Sequence, residues 1–270
     1  CHPAAPMRNM SLLDAKLQHG VAMKKVVEAV KDLVTDVNVE CSESGVTMQS
    51  MDSAHVALVS LLIRNKAFES FQVKKEMSLG LNMEHLSKIF RVCGNDDQLS
   101  LRVEAGQETI FLAFEDEKAK TDKLAELKLM ELEQEPLGIG DMDYDATIKM
   151  PCSEFQKMTR DLGQIGETVT IRVSQDAVRF SVTGDLGTVE IVQRPRNEGS
   201  DSGADRVTIE YCGTENVELS FQLRFLGLFA KAAPLCEQVQ LSLSAGVPLR
   251  VHFDFEAESN GFLRFFLAPR

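Results

Sequence analysis

The chain has 270 residues, of which 44% are hydrophobic, and a formal net charge of -12. Its apolar runs are shorter than the ~18 residues that a membrane span needs, so a folded, soluble protein is predicted and a membrane protein is excluded. The acidic balance taken alone also disfavours a nucleic-acid-binding protein, because phosphate contacts favour Lys and Arg.

The first half of the sequence alternates predicted helices with predicted strands. Residues 1–11 lack the features of a secretory signal and are interpreted as an extension or an expression remnant outside the fold. Apolar residues at helical spacing predict a helix over 20–35. A second helix is predicted over 82–93, with Asn82 as its cap. Strands are predicted at 37–40, 45–49, 54–63, 98–104 and 109–114.

An acidic segment with Pro and Gly, residues 133–146, has neither helical nor strand periodicity and is predicted to be an exposed connector. The pattern of helices and strands then begins again. Helices are predicted over 152–164 and 221–231, and strands over 168–174, 177–183, 207–211, 216–220, 238–244, 248–255 and 261–267. The repeated order predicts an α+β fold of two similar β-rich domains, 12–132 and 147–270, each with two short helices.

Basic residues concentrate in the four predicted helices, although the chain as a whole is acidic. In every helix a pair such as Lys88 and Arg91 is spaced three or seven positions apart and therefore shares one face. Solvent-exposed helix faces ordinarily carry such residues, and this simpler interpretation stays open for any single helix. The basic residues concerned are Lys24, Lys25, Lys31, Lys88, Arg91, Lys157, Arg160, Arg224 and Lys231.

The basic helix faces could line the hole of a ring that surrounds DNA. Helices with their side chains are about 10 Å wide, so the four helices of one chain would enclose almost no opening. Twelve such helices would leave roughly 28 Å, which is enough for a DNA duplex with water. A ring, if it forms, therefore needs three chains.

Several stretches of the sequence resemble the proliferating cell nuclear antigen family, and the resemblance runs from residue 13 to residue 270. The most specific stretches are SGVTMQSMDSAHV at 44–56 and LAP at 267–269, and KKVVEAVKDLV, LGIG, IKMPCSEF and RDLGQIG also match. The resemblance implies the DNA-clamp fold and a closed homotrimeric ring with helices lining the hole. It also implies a nuclear, non-enzymatic processivity factor of DNA replication and repair that encircles double-stranded DNA.

The resemblance further implies which residues act. The basic helix residues would face the DNA, and the partners would be a clamp loader, DNA polymerases and repair proteins. Polymerases and repair proteins would bind through a peptide that carries a Gln and two aromatic residues. The pocket for this peptide would comprise Met51, His55, Leu58, Leu137, Ile139, Tyr144, Pro248, Phe266, Ala268 and Pro269. Ordinary core or loop packing is the alternative for Met51, Leu58 and Ile139.

Two segments with alternating polarity, 121–128 and 187–193, are predicted to close the ring by pairing as edge strands of neighbouring subunits. Edge strands that would otherwise be exposed are usually covered or blunted. The predicted contacts at the subunit interface are Leu124, Leu127, Val189 and Ile191.

The sequence departs from the family pattern at several places. Gln175 stands where many members have a Lys that accepts ubiquitin, so this modification is in doubt here. Ala125 replaces a Tyr at the interface strand, and Phe266 replaces a pocket Tyr. The polar loop 194–206 is longer than usual.

Two other interpretations are weighed against the replicative clamp. An enzyme would need a nucleophile with its base, or clustered carboxylates that hold a metal. The sequence has no G-x-S-x-G, phosphate-loop or H-E-x-x-H motif, and its six Cys and five His lack metal-site spacing, so neither catalysis, a metal nor a cofactor is expected. The scattered Cys residues favour reduced thiols. The second alternative is a checkpoint-type clamp subunit, which would have the same fold in a hetero-oligomer.

Overall fold

The computed structural model describes residues 10–133, 137, 138, 140, 142–195, 207–213, 216–255 and 260–270. These residues form eighteen β-strands and four α-helices. The strands make three antiparallel sheets of five, nine and four strands. This composition of many strands and few short helices agrees with the predicted α+β class.

The first half of the chain supplies two helices and nine strands. They are β1 (Ser11–Leu17), α1 (Gly20–Val30), β2 (Asp36–Ser42), β3 (Gly45–Met51), β4 (Ala57–Arg64), β5 (Ser70–Val73), β6 (Met77–Asn82), α2 (Met83–Phe90), β7 (Gln98–Glu104), β8 (Thr109–Asp116) and β9 (Thr121–Lys128).

The second half repeats this order with its own two helices and nine strands. They are β10 (Ala146–Pro151), α3 (Cys152–Leu162), β11 (Thr168–Val173), β12 (Val178–Gly184), β13 (Gly187–Gln193), β14 (Thr208–Tyr211), β15 (Val217–Gln222), α4 (Leu223–Phe229), β16 (Gln238–Leu243), β17 (Leu249–Asp254) and β18 (Gly261–Leu267). A 3₁₀ helix, Ala230–Leu235, follows α4 directly.

The nine-stranded sheet joins the two halves. Its order is β14-β10-β16-β17-β18-β4-β3-β2-β6, and the junction is the antiparallel pair β18 and β4, with Phe266 opposite Leu58. Gly261 begins β18 with a φ of +139°, and a Cβ there would lie 2.0 Å from the carbonyl oxygen of Leu62. Only glycine fits this close approach of two strands at the junction.

The four helices bury one apolar side and leave the other side polar. The buried side chains are Val26, Val27, Ala29 and Val30 of α1, Met83, Leu86 and Phe90 of α2, Phe155, Met158 and Leu162 of α3, and Leu223, Phe225, Leu226 and Phe229 of α4. Phe229 stacks on Phe265 of β18 with 4.5 Å between ring centroids. Each such aromatic burial contributes about 1.5–3 kcal/mol, so the apolar side fixes which helix face remains outside.

All four predicted helices are confirmed, with shifts at their ends. The side chain of Asn82 accepts a hydrogen bond from the backbone N–H of His85 at 2.9 Å, as the cap predicts. However, α1 ends at Val30 rather than at residue 35. The predicted fourth helix is α-helical only as far as Phe229 and continues as a 3₁₀ helix that contains Pro234.

Strand β4 begins later than predicted because a tight turn precedes it. The carboxylate of Asp52 accepts hydrogen bonds from the backbone N–H groups of Ala54, Val56 and Ala57 at 3.1, 2.7 and 2.7 Å.

Four strands, β1, β5, β6 and β10, were not predicted. The division of the chain at 12–132, 133–146 and 147–270 stays a prediction.

Candidate functional site

The first candidate surface is the helix layer, which we define as the polar sides of α1 to α4 and of the following 3₁₀ helix. Helix α1 packs beside α2, α4 and the 3₁₀ helix, and α3 packs beside α4 and the 3₁₀ helix. The fold therefore brings all nine predicted basic residues into one layer. Six of them are exposed, namely Lys88, Arg91, Lys157, Arg160, Arg224 and Lys231, and Lys24, Lys25 and Lys31 are half-buried.

Two of the half-buried lysines bind the protein itself. The Nζ of Lys24 donates to the backbone carbonyl of Cys93, just past α2, at 2.8 Å. The Nζ of Lys31 lies 2.6 Å from the carboxylate of Glu28 and 3.4 Å from the hydroxyl of Ser87 on α2. These two lysines connect α1 with α2, which sequence spacing alone did not indicate.

Glu28 lies at the centre of this connection. Its carboxylate also accepts a hydrogen bond from the Ser87 hydroxyl at 2.6 Å. Burial alone would raise the pKa of Glu28, but the hydrogen bonds from Lys31 and Ser87 outweigh burial and hold the pKa below its usual value. The carboxylate is therefore charged at neutral pH and compensates the charge of Lys31.

The exposed basic residues differ in their partners. Lys88 pairs with Glu84 at 2.7 Å, Arg160 pairs with Asp161 at 3.2 Å, and Lys231 pairs with Asp32. Exposed ion pairs of this kind contribute only about 0–1 kcal/mol, so a phosphate can replace the carboxylate. Within the described part of the chain, Lys25, Arg91, Lys157 and Arg224 form no ion pair, which leaves their charge uncompensated for an anionic ligand.

The second candidate surface is the outer face of the nine-stranded sheet. Across β3, β4 and β18, Met51 lies opposite Leu58, and Leu58 lies opposite Phe266. We call these three residues the apolar row. Met51 is 37% exposed, Leu58 is half-buried, and Phe266 is 9% exposed. Phe265, the neighbour of Phe266, packs on α4, so the alternation of a strand places the apolar row on the face away from the helices.

Further predicted pocket residues surround the apolar row. His55 is exposed in the turn before β4 and has a φ of 56°. The backbone N–H of Ala268 donates to the carbonyl of Val56 at 3.0 Å, which brings the exposed Ala268 and Pro269 beside this turn.

The hydroxyl of Tyr144 donates to the carbonyl of Pro248 at 3.3 Å, and burial raises the pKa of this phenol. Leu137 is half-buried. Ile139 lies outside the described residues, and its place in the pocket stays a prediction.

A cavity of about 130 Å³ opens beside Phe266, beneath Tyr144. Its lining is more polar than predicted, with Gln49, Ser60, Arg250 and Arg264. The guanidinium of Arg250 lies 4.7 Å from the Tyr144 ring and donates to the hydroxyl of Ser242 at 3.1 Å. The Nε of Arg250 is buried and has no hydrogen-bond partner among the described residues. The polar side chains that line the cavity can form hydrogen bonds with a polar group of a ligand.

The arginines of this cavity were not found from the sequence. The signal that could have found them is the alternation in β17 (LRVHFD) and β18 (GFLRFFL), where Arg250 and Arg264 occupy positions that face away from the buried neighbours. A polar residue in the middle of a strand that is otherwise apolar indicates the outer face.

The two predicted interface segments are both terminal strands of a sheet. Strand β9 ends the five-stranded sheet and β13 ends the four-stranded sheet. Leu124 is 81% exposed and Val189 is 38% exposed, whereas Ile191 is half-buried. Leu127, at 8% exposure, packs in the core of its own subunit, so the prediction that it contacts a neighbouring subunit does not fit its position. Leu124 and Leu127 are three residues apart and lie on opposite faces of β9.

The remaining features concern other kinds of site. Gln175 is exposed in the turn between β11 and β12. Residues 196–206 of the long polar loop lie outside the described part. Among the described residues, no group of three or more His, Cys, Asp or Glu side chains could hold a metal ion. No helix in the described ranges has both the length and the apolar character needed to cross a membrane.

Comparisons with known proteins match nearly the whole chain. The family model for the N-terminal domain of proliferating cell nuclear antigen matches residues 12–136, and the model for its C-terminal domain matches residues 138–270. A protein of Dictyostelium discoideum named proliferating cell nuclear antigen is 40% identical over 260 residues, which cover 96% of this chain and 99% of that protein.

Proposed function

The chain belongs to the proliferating cell nuclear antigen family, and from this premise we propose that its helix layer contacts DNA while its apolar row binds partner peptides. The protein is a DNA sliding clamp, a non-enzymatic processivity factor of DNA replication and repair. It forms a homotrimeric ring that encircles duplex DNA in the nucleus, and it tethers DNA polymerases and repair proteins.

One observation carries the assignment of the two surfaces. The nine-stranded sheet separates the basic helix layer from the apolar row, because Phe265 packs on α4 and Phe266 lies on the other face. A clamp needs this separation, since DNA occupies the hole while partners bind at the outside of the ring.

The helix layer is suited to a non-specific contact with phosphates. Lys and Arg side chains bind the phosphate backbone regardless of sequence and release condensed counterions from the DNA. Binding becomes weaker at higher salt because the release of these counterions is then less favourable. The four residues without ion pairs, Lys25, Arg91, Lys157 and Arg224, are the strongest candidates, and the others contribute when phosphate replaces their carboxylate partners.

The test measures the salt dependence of DNA binding for two variants of equal charge. The helix variant carries Arg91→Ala, Lys157→Ala and Arg224→Ala. The control carries Lys149→Ala, Arg172→Ala and Arg179→Ala, which removes three basic residues that pair with Glu on the strands. We expect a smaller salt slope for the helix variant alone. An unchanged slope in that variant, or an equal change in the control, would place the DNA contact elsewhere.

The apolar row and the cavity beside it are suited to a peptide with a Gln and two aromatic residues. Met51, Leu58 and Phe266 offer an apolar surface to the aromatic rings. Gln49, Ser60 and Arg250 offer hydrogen-bonding groups to a polar side chain such as Gln. We propose that Ile139 and Leu137 complete the pocket, and that His55, Pro248, Ala268 and Pro269 form its rim.

Ring closure is proposed to use β9 of one subunit and β13 of the next. Both strands end their sheets, and one exposed apolar residue on each, Leu124 and Val189, supports a pairing between them. We also propose the division into domains at 12–132 and 147–270 with the connector 133–146 between them, in keeping with two family models that meet inside the connector.

A further inference from the structure

Two free thiols lie next to each other in the second half of the chain. The sulfur atoms of Cys152 and Cys236 are 3.8 Å apart, although the residues are 84 positions apart in the sequence. Cys152 is the first residue of α3, and Cys236 follows the 3₁₀ helix Ala230–Leu235. The backbone N–H of Cys152 donates to the carbonyl of Glu237 at 2.8 Å. The fold itself therefore holds the two segments together.

The two thiols have unequal environments. Cys152 is 3% exposed, whereas Cys236 is half-buried and has contact with solvent. The hydrogen bond between them lowers the pKa of Cys236 and, together with burial, raises the pKa of Cys152. Cys236 is therefore the thiol that an oxidant reaches and that forms a thiolate more readily. Cys152 is the buried thiol beside it that can react with oxidised Cys236.

We propose that Cys236 and Cys152 form a reversible disulfide when the protein meets hydrogen peroxide. The Cys236 thiolate attacks one peroxide oxygen, so that an S–O bond forms, the O–O bond breaks and the leaving hydroxide takes a proton to become water. Cys236 is then a sulfenic acid. The Cys152 sulfur attacks the Cys236 sulfur, the S–S bond forms, the S–O bond breaks and a second water leaves.

The electrons and atoms of this reaction balance. Two thiols lose two hydrogens and two electrons, and one peroxide becomes two waters. The sulfur atoms must approach each other by about 1.8 Å to reach disulfide length, which side-chain rotation and small backbone shifts can supply. A thiol reductant reverses the reaction by exchange, so the bond is a response to oxidation rather than a permanent part of the fold.

The bond would fasten the 3₁₀ helix to the start of α3. The 3₁₀ helix packs on both α1 and α3, and its Lys231 pairs with Asp32 just after α1. This segment therefore connects the helices of the two halves. A disulfide at its end closes a long loop of chain. This cross-link lowers the conformational entropy of the unfolded state and thereby stabilises the folded state. The oxidised protein is more resistant to heat than the reduced protein.

The decisive measurement is peptide mapping of the full-length protein by mass spectrometry after treatment with hydrogen peroxide in the folded state. We expect a Cys152–Cys236 cross-linked peptide, a chain mass lower by about 2 Da, and a melting temperature higher by about 5 °C, all reversed by dithiothreitol. Recovery of both residues as free thiols, or of Cys236 as a sulfinic acid with Cys152 unmodified, would overturn the proposal. This result needs no variant, so it stands even if a substitution impairs folding.

Three variants assign the order of the steps. Cys212→Ser removes an exposed thiol outside the pair and is expected to behave like the wild type. Cys152→Ser should accumulate a sulfenic acid at Cys236 that dimedone labels, and Cys236→Ser should leave Cys152 unreacted. Dimedone labelling of Cys152 in the Cys236→Ser variant, at the rate seen for Cys236, would contradict the assigned roles.

Discussion

The helix pairs of the two halves share their topology but employ basic residues differently. In the first half, Lys24 and Lys31 extend from α1 to groups on or just past α2. In the second half, Lys157 and Arg224 are exposed on α3 and α4 and form no ion pair among the described residues. A basic residue on the polar side of a helix can therefore connect two helices, as Lys24 and Lys31 do in the first half, or stay without an ion pair in the described part of the chain, as Lys157 and Arg224 do in the second half.

The strands that end the two smaller sheets, β9 and β13, differ in how far they expose an apolar side chain. Substitutions at these side chains have the largest predicted effect. Leu124 on β9 is 81% exposed, whereas Val189 on β13 is 38% exposed. We expect Leu124→Asp to convert the trimer into monomers at micromolar concentration, and Val189→Asp to weaken it less. Light scattering measures the mass.

The control for ring closure is Leu127→Asp, because Leu127 is buried in its own subunit. This variant should lose folded structure by circular dichroism, since it buries a charge without a partner. A Leu124→Asp variant that remains fully trimeric would remove β9 from the interface.

The apolar row draws on both halves, with Met51 and Leu58 from the first and Phe266 from the second. We expect Leu58→Ala to weaken binding of a peptide with a Gln and two aromatic residues by roughly thirtyfold, since a truncated contact at the centre of an interface costs about 2 kcal/mol. The matched control is Leu62→Ala, four residues along the same strand and face. Isothermal titration compares the two, and equal affinities would place the peptide elsewhere.

A pair of substitutions separates structural lysines from ligand-binding lysines. Lys24→Met removes a charged donor from the carbonyl of Cys93, so we expect the free energy of unfolding to fall by about 1 kcal/mol. Lys157→Met should change it by less than about 0.5 kcal/mol but should weaken DNA binding more than Lys24→Met does. Urea unfolding and DNA titration at low salt give the two quantities. If Lys24→Met were the variant with the weaker DNA binding and unchanged stability, the contrast between Lys24 and Lys157 would be wrong.

The smallest predicted effect concerns acid. Asp97 accepts from the N–H of Gly94 at 2.9 Å and pairs with Lys123 at 2.7 Å, beside the Cys93 carbonyl that Lys24 reaches. Burial would raise the pKa of Asp97, but the bonds from Lys123 and Gly94 outweigh it and hold the pKa below the usual value. A lowered folded pKa stabilises the protein above the ordinary pKa, and this stability is lost as the pH falls through the folded pKa.

We therefore expect Asp97→Asn to melt at a lower temperature than the wild type at pH 7, by about 3 °C, with the gap closing as the pH falls below the ordinary pKa of Asp and through the lowered pKa of Asp97. Asp96→Asn is the control, because Asp96 forms only an exposed pair with Lys118. Differential scanning calorimetry at several pH values measures the gap. A gap that stays constant with pH would show that the charge of Asp97 is not what stabilises the end of α2.

The local elements of the fold were predictable wherever periodicity is strong. The buried stripe of α3 repeats at helical spacing, and its end was predicted to within two residues, whereas α1 ends five residues before its predicted end. The bounds of β7 and β18 were predicted as the structure has them. Strand β6 was missed because Gly80 interrupts it, and the structure explains this glycine: a Cβ there would lie 2.0 Å from the carbonyl oxygen of Met130. That contact comes from a distant part of the chain, which local periodicity does not show.

The candidate surfaces were predictable in type but not in detail. Clustered Lys and Arg indicated the helix layer, yet the sequence could not show that Lys24 and Lys31 are engaged by α2, since their acceptors are far away in sequence. The family resemblance supplied the apolar row. It did not supply Arg250, because the contact between its guanidinium and the Tyr144 ring joins residues that are far apart in the sequence.

The pairing of β4 with β18 has a consequence for how the chain acquires its structure during synthesis. Leu58 emerges early from the ribosome and its strand neighbour Phe266 very late, so β4 waits without its partner while most of the polypeptide is made. Contacts between such distant segments slow folding and leave strand edges open to other chains in the meantime. A nascent chain halted before Gly261 would expose β4 and β17 together, and it would depend on chaperones to avoid aggregation.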